Sequence, residues 1–301
     1  MKTKGLIAAP PTAFRADGGI DLGAVAPLAR HLKSLGVVGV YVNGTTGEGM
    51  SLTTEEREKL AVEWRRALPG GMKLFVHAGH NSPGDAARMA RHAQAIGADA
   101  VAAMAPNFFK PDGVAGLVDW CAAVAAAAPG LPFYFYHMPA MSGVNVSVSE
   151  FLLRAADRIP NLSGVKFTFE AMHDFLASCR ACGGRFDVLW GRDEMLLGAL
   201  AMGAEGAVGS TYNAIAPLYL EMIEAFNRGD WPAARALQAR SIAFINSLVA
   251  TGNFFAALKA VLRSQGVPIT PAVRLPLAAT AEEKLAGLAG LATKPGPASG
   301  A

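Results

Sequence analysis

The 301-residue chain has only three cysteines, Cys121, Cys179 and Cys182, too few for a disulfide framework. Charge is sparse as well: 17% of residues are charged, the net charge is +3, and no basic run exceeds a pair. So mild and even a balance argues against a nucleic-acid surface. Long apolar runs are missing too. The longest, Trp120 to Ala128, is alanine-rich and stops at Pro129, well short of the roughly 20 residues that span a bilayer. The apolar run after Lys4 is too short for a signal peptide. The expectation is a soluble, cytoplasmic protein with neither a membrane nor a nucleic-acid partner. What the chain does have is apolar residues, 52% of the total, enough for a large core and against disorder.

Eight short β-type runs recur: Gly5–Ala9, Gly39–Asn43, Lys73–Ala78, Ala100–Met104, Pro132–Tyr136, Gly164–Thr168, Val188–Gly191 and Gly206–Gly209. They are apolar on both faces, as strands of a helix-covered parallel sheet are. Helical patterns lie between them. Thr53-x-x-Glu56 and Ser147-x-x-Glu150 have the form of capping boxes, and Ser82-Pro83 supplies an N-cap and a first-turn proline. Gly97, Gly183-Gly184 and Gly203 have the form of helix stops. Pro27 predicts a late start or a kink in the first helix. Eight such units favour an α/β fold of the (β/α)8 TIM-barrel type over an open sheet. The barrel is expected over residues 1–230. A helical extension of the same domain follows over 231–292, with helices near 232–250, 254–265 and 281–292, and then a frayed tail at 293–301.

A barrel of this kind carries its chemistry at the C-terminal ends of its strands, and that rule sorts the candidate residues. Lys73 opens the third strand and falls at the stability end. Lys166, the only lysine between Lys110 and Lys259, comes late in the sixth, within Leu162-Ser-Gly-Val-Lys-Phe-Thr-Phe169. A buried ammonium is costly unless paired, and a desolvated amine that gives up its proton can form a Schiff base with a ketone. The alternative is a stem that packs while its charged end escapes to water. Gly44-Thr-Thr-Gly-Glu-Gly49 follows the second strand and offers backbone N–H groups and the Thr45 and Thr46 hydroxyls, a set suited to a carboxylate. It matches neither a dinucleotide fingerprint nor a P-loop, and an ordinary tight turn is the alternative. Tyr136 ends the fifth strand, where it can pass a proton near Lys166 or simply pack in the core. Gly191-Arg-Asp-Glu194 ends the seventh strand. Asp193 and Glu194 suit sugar hydroxyls, or a helix N-terminus and its dipole. Ser210 follows the eighth strand. His77 and His80 lack a neighbouring carboxylate to complete a metal site, and Cys179-x-x-Cys182 lacks a second pair, so neither metal nor cofactor is expected.

Gly44-Thr-Thr-Gly-Glu48, Tyr136-x-x-Pro139 and Gly164-Val-Lys166, in that order at successive strand ends, resemble the dihydrodipicolinate synthase/N-acetylneuraminate lyase family over about residues 5–280. The detail is similar to its lyase branch. In the synthases an arginine stands two residues after the proline, where this chain has Met141. The resemblance implies a Schiff-base aldolase that cleaves N-acetylneuraminate reversibly to pyruvate and N-acetylmannosamine, without a cofactor, as a homotetramer. It implies Lys166 as the Schiff-base residue and Tyr136 as proton relay. Thr45 and Thr46 would hold the substrate carboxylate, and Thr168, Gly191, Asp193, Glu194 and Ser210 the sugar chain. One departure stands out: many members have a tyrosine in the segment Pro106–Pro111, contributed across a subunit interface to the relay, where Phe108 and Phe109 carry no hydroxyl. Two alternatives remain at this level. One is a pyruvate aldolase for another 2-keto acid sugar or aldehyde, with Arg192 as a source of altered specificity. The other is a non-catalytic binding barrel.

Overall fold

In the computed structural model, which describes residues 2–288 and 290, the eight apolar runs form β1 Gly5–Ala8, β2 Gly39–Val42, β3 Lys73–His77, β4 Ala100–Met104, β5 Phe133–His137, β6 Leu162–Phe167, β7 Asp187–Trp190 and β8 Gly206–Gly209. All pair in parallel and in chain order, and β1 closes on β8 to complete a (β/α)8 TIM barrel. The strands lack polar alternation because both faces are covered. Inward, Ile7, Tyr41, Phe75, Tyr134, Tyr136, Leu189 and Val208 fill the barrel. Outward, the strands pack on the helices through a second, larger apolar layer.

The helices are α1 Val25–Ser34, α2 Thr54–Ala67, α3 Pro83–Ala95, α4 Gly113–Ala125, the one-turn α5 Pro139–Ser142, α6 Val148–Ala155, α7 Met172–Gly184, α8 Leu196–Ala201 and α9 Tyr212–Asn227. Beyond the barrel run α10 Trp231–Val249, α11 Phe254–Ser264 and α12 Glu282–Ala286. Part of the third expected C-terminal helix, 281–292, and the expected tail 293–301 lie outside the described residues. Among the described residues no single helix is long and apolar enough to cross a membrane.

Local punctuation works as its chemistry dictates, with two exceptions. The Thr53–Glu56 box is complete, each residue bonding the other's backbone N–H. Ser82 caps α3 with Pro83 at its first position. Pro27 falls in the first turn of α1, where its missing N–H has no partner to lose, so no kink follows. The first exception is α7, whose backbone already leaves helical geometry at Ala181, before the two glycines.

The second exception is the Ser147 box. Its hydroxyl accepts the Glu150 N–H, but the Glu150 side chain pairs with Arg154 instead of closing the box. The missing cap comes from α7. The Asp174 carboxylate accepts the Val148 N–H at 2.7 Å, the Ser149 N–H at 3.1 Å and the Ser147 and Ser149 hydroxyls at 2.9 and 2.6 Å. Burial raises the Asp174 pKa, but these bonds outweigh it and the net shift is downward. A lowered native pKa gives stability that is present above the unfolded value near 3.8 and lost as pH falls through the native one. Asp174→Asn is therefore expected to cost about 1–3 kcal/mol at neutral pH. Denaturant melts should show the deficit shrinking below about pH 4.

Candidate active site

Lys166 lies between Tyr136 of β5 and Leu189 of β7 in the register of the sheet. It is 5% exposed, so its stem packs inside the barrel. Its Nζ stands 4.1 Å from the Tyr136 ring centroid and 4.5 Å from that of Tyr41, a cation–π setting. Among the described residues no carboxylate lies within ion-pair distance of it. Lys73, at the opposite end of the barrel, donates to the Thr3 hydroxyl at 3.2 Å, near the buried Tyr134–Asp187 hydrogen bond.

The turn after β2 comes to meet this amine. The Thr45 hydroxyl is 3.2 Å from the Tyr136 Oη, and the Thr46 hydroxyl is 2.6 Å from that of Ser210. The turn closes through Glu48 N–H to Thr45 O at 3.0 Å and Gly49 N–H to Gly44 O at 3.0 Å. Gly49 is required there, since a Cβ would lie 1.9 Å from the Asn43 carbonyl oxygen. The amides of Thr45 and Thr46 have no protein acceptor among the described residues and remain available to a ligand.

Beyond the Thr46–Ser210 contact opens a cavity of about 240 Å³. Thr168, Gly191, Asp193, Glu194 and Ser210 all line it, together with Arg192 and Thr211. Gly191 permits a close approach: a Cβ would sit 2.0 Å from the Thr168 hydroxyl. Neither acid caps the following helix. The Asp193 carboxylate accepts the Thr211 N–H at 2.8 Å and its hydroxyl at 2.6 Å. Glu194 pairs with Arg192 at 2.9 Å, and Arg192 also reaches Glu170 at 3.0 Å. Ile245 of α10 and Phe254 of α11 complete the wall.

Burial drives the Asp193 pKa up to about 6, with the Thr211 bonds only partly offsetting it. A native pKa raised above the unfolded 3.8 means the folded protein holds the proton more tightly, so this group's contribution falls as pH rises from 4 to 6. Asp193→Asn removes the effect. Its stability relative to the parent is expected to improve by up to about 3 kcal/mol between pH 4 and pH 7. Urea melts at the two pH values measure the change.

The histidines are not assembled for chemistry. His77 places Nδ1 3.1 Å from the Asn43 carbonyl oxygen and accepts the Met104 N–H at Nε2, 3.2 Å away. Burial, reinforced by the Arg57 charge, holds its pKa well below the usual value. His137 is buried among Phe135, Phe167 and Phe169, and burial lowers its pKa to about 4. No group of three or more His, Cys, Asp or Glu side chains able to hold a metal occurs among the described residues. Cys179 and Cys182 are free thiols in the distorted end of α7.

Several site residues escaped the sequence. Tyr41 could have been found, because alternation along β2 turns it inward. Arg57 could not: it is 1% exposed, donates to the His77 and Gly79 carbonyl oxygens at 2.6 and 2.9 Å, and burial lowers its pKa to about 10. Ile245 and Phe254 belong to helices without a motif.

Residues 2–294 match the model of the dihydrodipicolinate synthetase family. An N-acetylneuraminate lyase of Gallus gallus is 41% identical over 95% of this chain and 94% of its own. Among solved structures, Proteus mirabilis N-acetylneuraminate lyase superposes with a TM-score of 0.94 at 42% identity, over 97% of this chain and 98% of that one. A catalytic lysine mutant of Ruminococcus gnavus sialic acid aldolase superposes at 0.91 with 29% identity, over 97% of this chain and 98% of that one.

Proposed function

This chain belongs to the dihydrodipicolinate synthetase family, and from that premise we propose that it is a Schiff-base aldolase cleaving N-acetylneuraminate to pyruvate and N-acetylmannosamine. The observation that carries the reading is Lys166, buried without a carboxylate partner at the chemistry end of the barrel, beside the Tyr136–Thr45 hydrogen bond. The curated relatives named N-acetylneuraminate lyase, and the catalytic lysine of the Ruminococcus gnavus aldolase, support it.

The Lys166 amine adds to the C2 ketone and water leaves, giving an iminium. When the C3–C4 bond breaks, its electron pair flows into the iminium and forms an enamine. The C4 hydroxyl loses its proton through Tyr136 to the substrate carboxylate, and the aldehyde departs. Protonation at C3 and hydrolysis return pyruvate and the free amine. Thr45 and Thr46 hold the carboxylate and so fix the ketone against Nζ. Thr168, Gly191, Asp193, Glu194 and Ser210 take the hydroxylated chain. No step calls for a metal or cofactor. The barrel of residues 1–230 carries the chemistry, and the extension of 231–292 closes the sugar cavity with Ile245 and Phe254.

The test is pyruvate release from N-acetylneuraminate, followed by reduction to lactate. Release supports the reading. Absence of release, with pyruvate still trapped on Lys166, supports an aldolase for another 2-keto acid sugar, with the Arg192 bridge between Glu170 and Glu194 as the altered feature.

The family resemblance also supports a homotetramer, and the sequence composition a cytoplasmic one. Phe108 and Phe109, packed edge to face and 77% and 85% exposed, are the residues such an interface would cover. Light scattering on the eluting protein should give a tetramer mass for the parent. A smaller species is expected for Phe108→Asp/Phe109→Asp, and a monomeric parent would contradict the assembly.

A further inference from the structure

Glu48 belongs to the same turn as Thr45 and Thr46, yet its side chain faces away from the cavity and is 1% exposed. Its backbone is left-handed, with φ of 52°, a conformation that a residue with a side chain keeps only when its surroundings hold it. The hold comes from the far end of the chain. Lys259 of α11, with a side chain fully buried, donates to the Glu48 carboxylate at 2.6 Å and to the Ala272 carbonyl oxygen at 2.6 Å. The Arg274 N–H donates to the other Glu48 oxygen at 2.9 Å. The Arg274 guanidinium in turn grips Glu56 of α2 and the Ser51 carbonyl oxygen just beyond the turn. Phe14 lies beneath both cations. Two charges wholly withdrawn from water give little net stability over an apolar pair of the same shape, whereas the geometry they impose is narrow.

We propose that the Glu48–Lys259 ion pair is a positioning device for the carboxylate site. It holds the turn so that the Thr45 and Thr46 amides and hydroxyls face the substrate carboxylate, and it makes the C-terminal extension part of 2-keto acid recognition. The proposal rests on the Schiff-base reading of Lys166. Both residues act through the turn and touch no substrate.

The experiment compares borohydride trapping of pyruvate with that of methyl pyruvate, which presents the same ketone with its carboxylate masked. In Lys259→Met the pyruvate concentration for half-maximal trapping is expected to rise about tenfold or more, with methyl pyruvate within about twofold of the parent. Glu48→Gln keeps the shape of the side chain and removes its charge. It is expected to show the same selective loss, about fivefold, and it decides the matter if Lys259→Met does not fold. Folded variants that trap pyruvate as the parent does, or that lose both ketones equally, overturn the proposal. A parent that traps neither ketone overturns the Schiff-base reading and this proposal with it.

Discussion

Replacing Lys166 with alanine is expected to lower N-acetylneuraminate cleavage by at least about 10⁴-fold and to leave the fold intact. The loss is chemical. On the proposed Schiff-base mechanism no iminium forms without the amine, and the electron pair of the C3–C4 bond has nowhere to go. The fold should survive because Lys166 makes no ion pair among the described residues that its removal would break; its amine lies over the faces of Tyr41 and Tyr136. Lys166→Arg sharpens the test. A guanidinium keeps the positive charge but does not lose its proton, so it forms no imine. Arginine should be as inactive as alanine. Substantial activity in Lys166→Arg would mean that the residue serves as a charge and not as a nucleophile.

Tyr136→Phe is expected to lower kcat by about 10²–10³-fold while pyruvate is still trapped on Lys166 at nearly the parent rate. The substitution keeps the ring that lies 4.1 Å from Nζ and removes only the hydroxyl, which is 3.2 Å from Thr45. Imine formation and proton relay are thereby separated. Loss of trapping together with cleavage would place the Tyr136 hydroxyl in Schiff-base formation itself. Unchanged cleavage would remove it from the mechanism.

The strands were legible because a covered parallel strand has to be apolar on both faces, and all eight ran close to their expected bounds. Once the barrel was in hand, chain direction alone separated Lys73 from Lys166. Thr168, Gly191, Asp193, Glu194 and Ser210, which line the cavity beside the turn, each follow a strand, whereas Ile245 and Phe254, which line it too, lie on helices without a motif. What escaped was decided by partners far away in sequence. Ser147 looked like half of a capping box, yet its helix is completed by Asp174. Asp193 suits sugar hydroxyls or a helix start in the sequence, and nothing local pointed to Thr211, whose N–H and hydroxyl both donate to its carboxylate. Glu48 looked like part of a glycine-rich turn, and nothing local pointed to Lys259, 211 residues later.

The decisive measurement is peptide mapping after incubation with pyruvate and borohydride. A covalent adduct with the mass of reduced pyruvate, confined to the peptide containing Lys166 and absent from Lys166→Ala, is the expected result. No adduct, or one that persists on another residue in that variant, would contradict Schiff-base catalysis by this lysine.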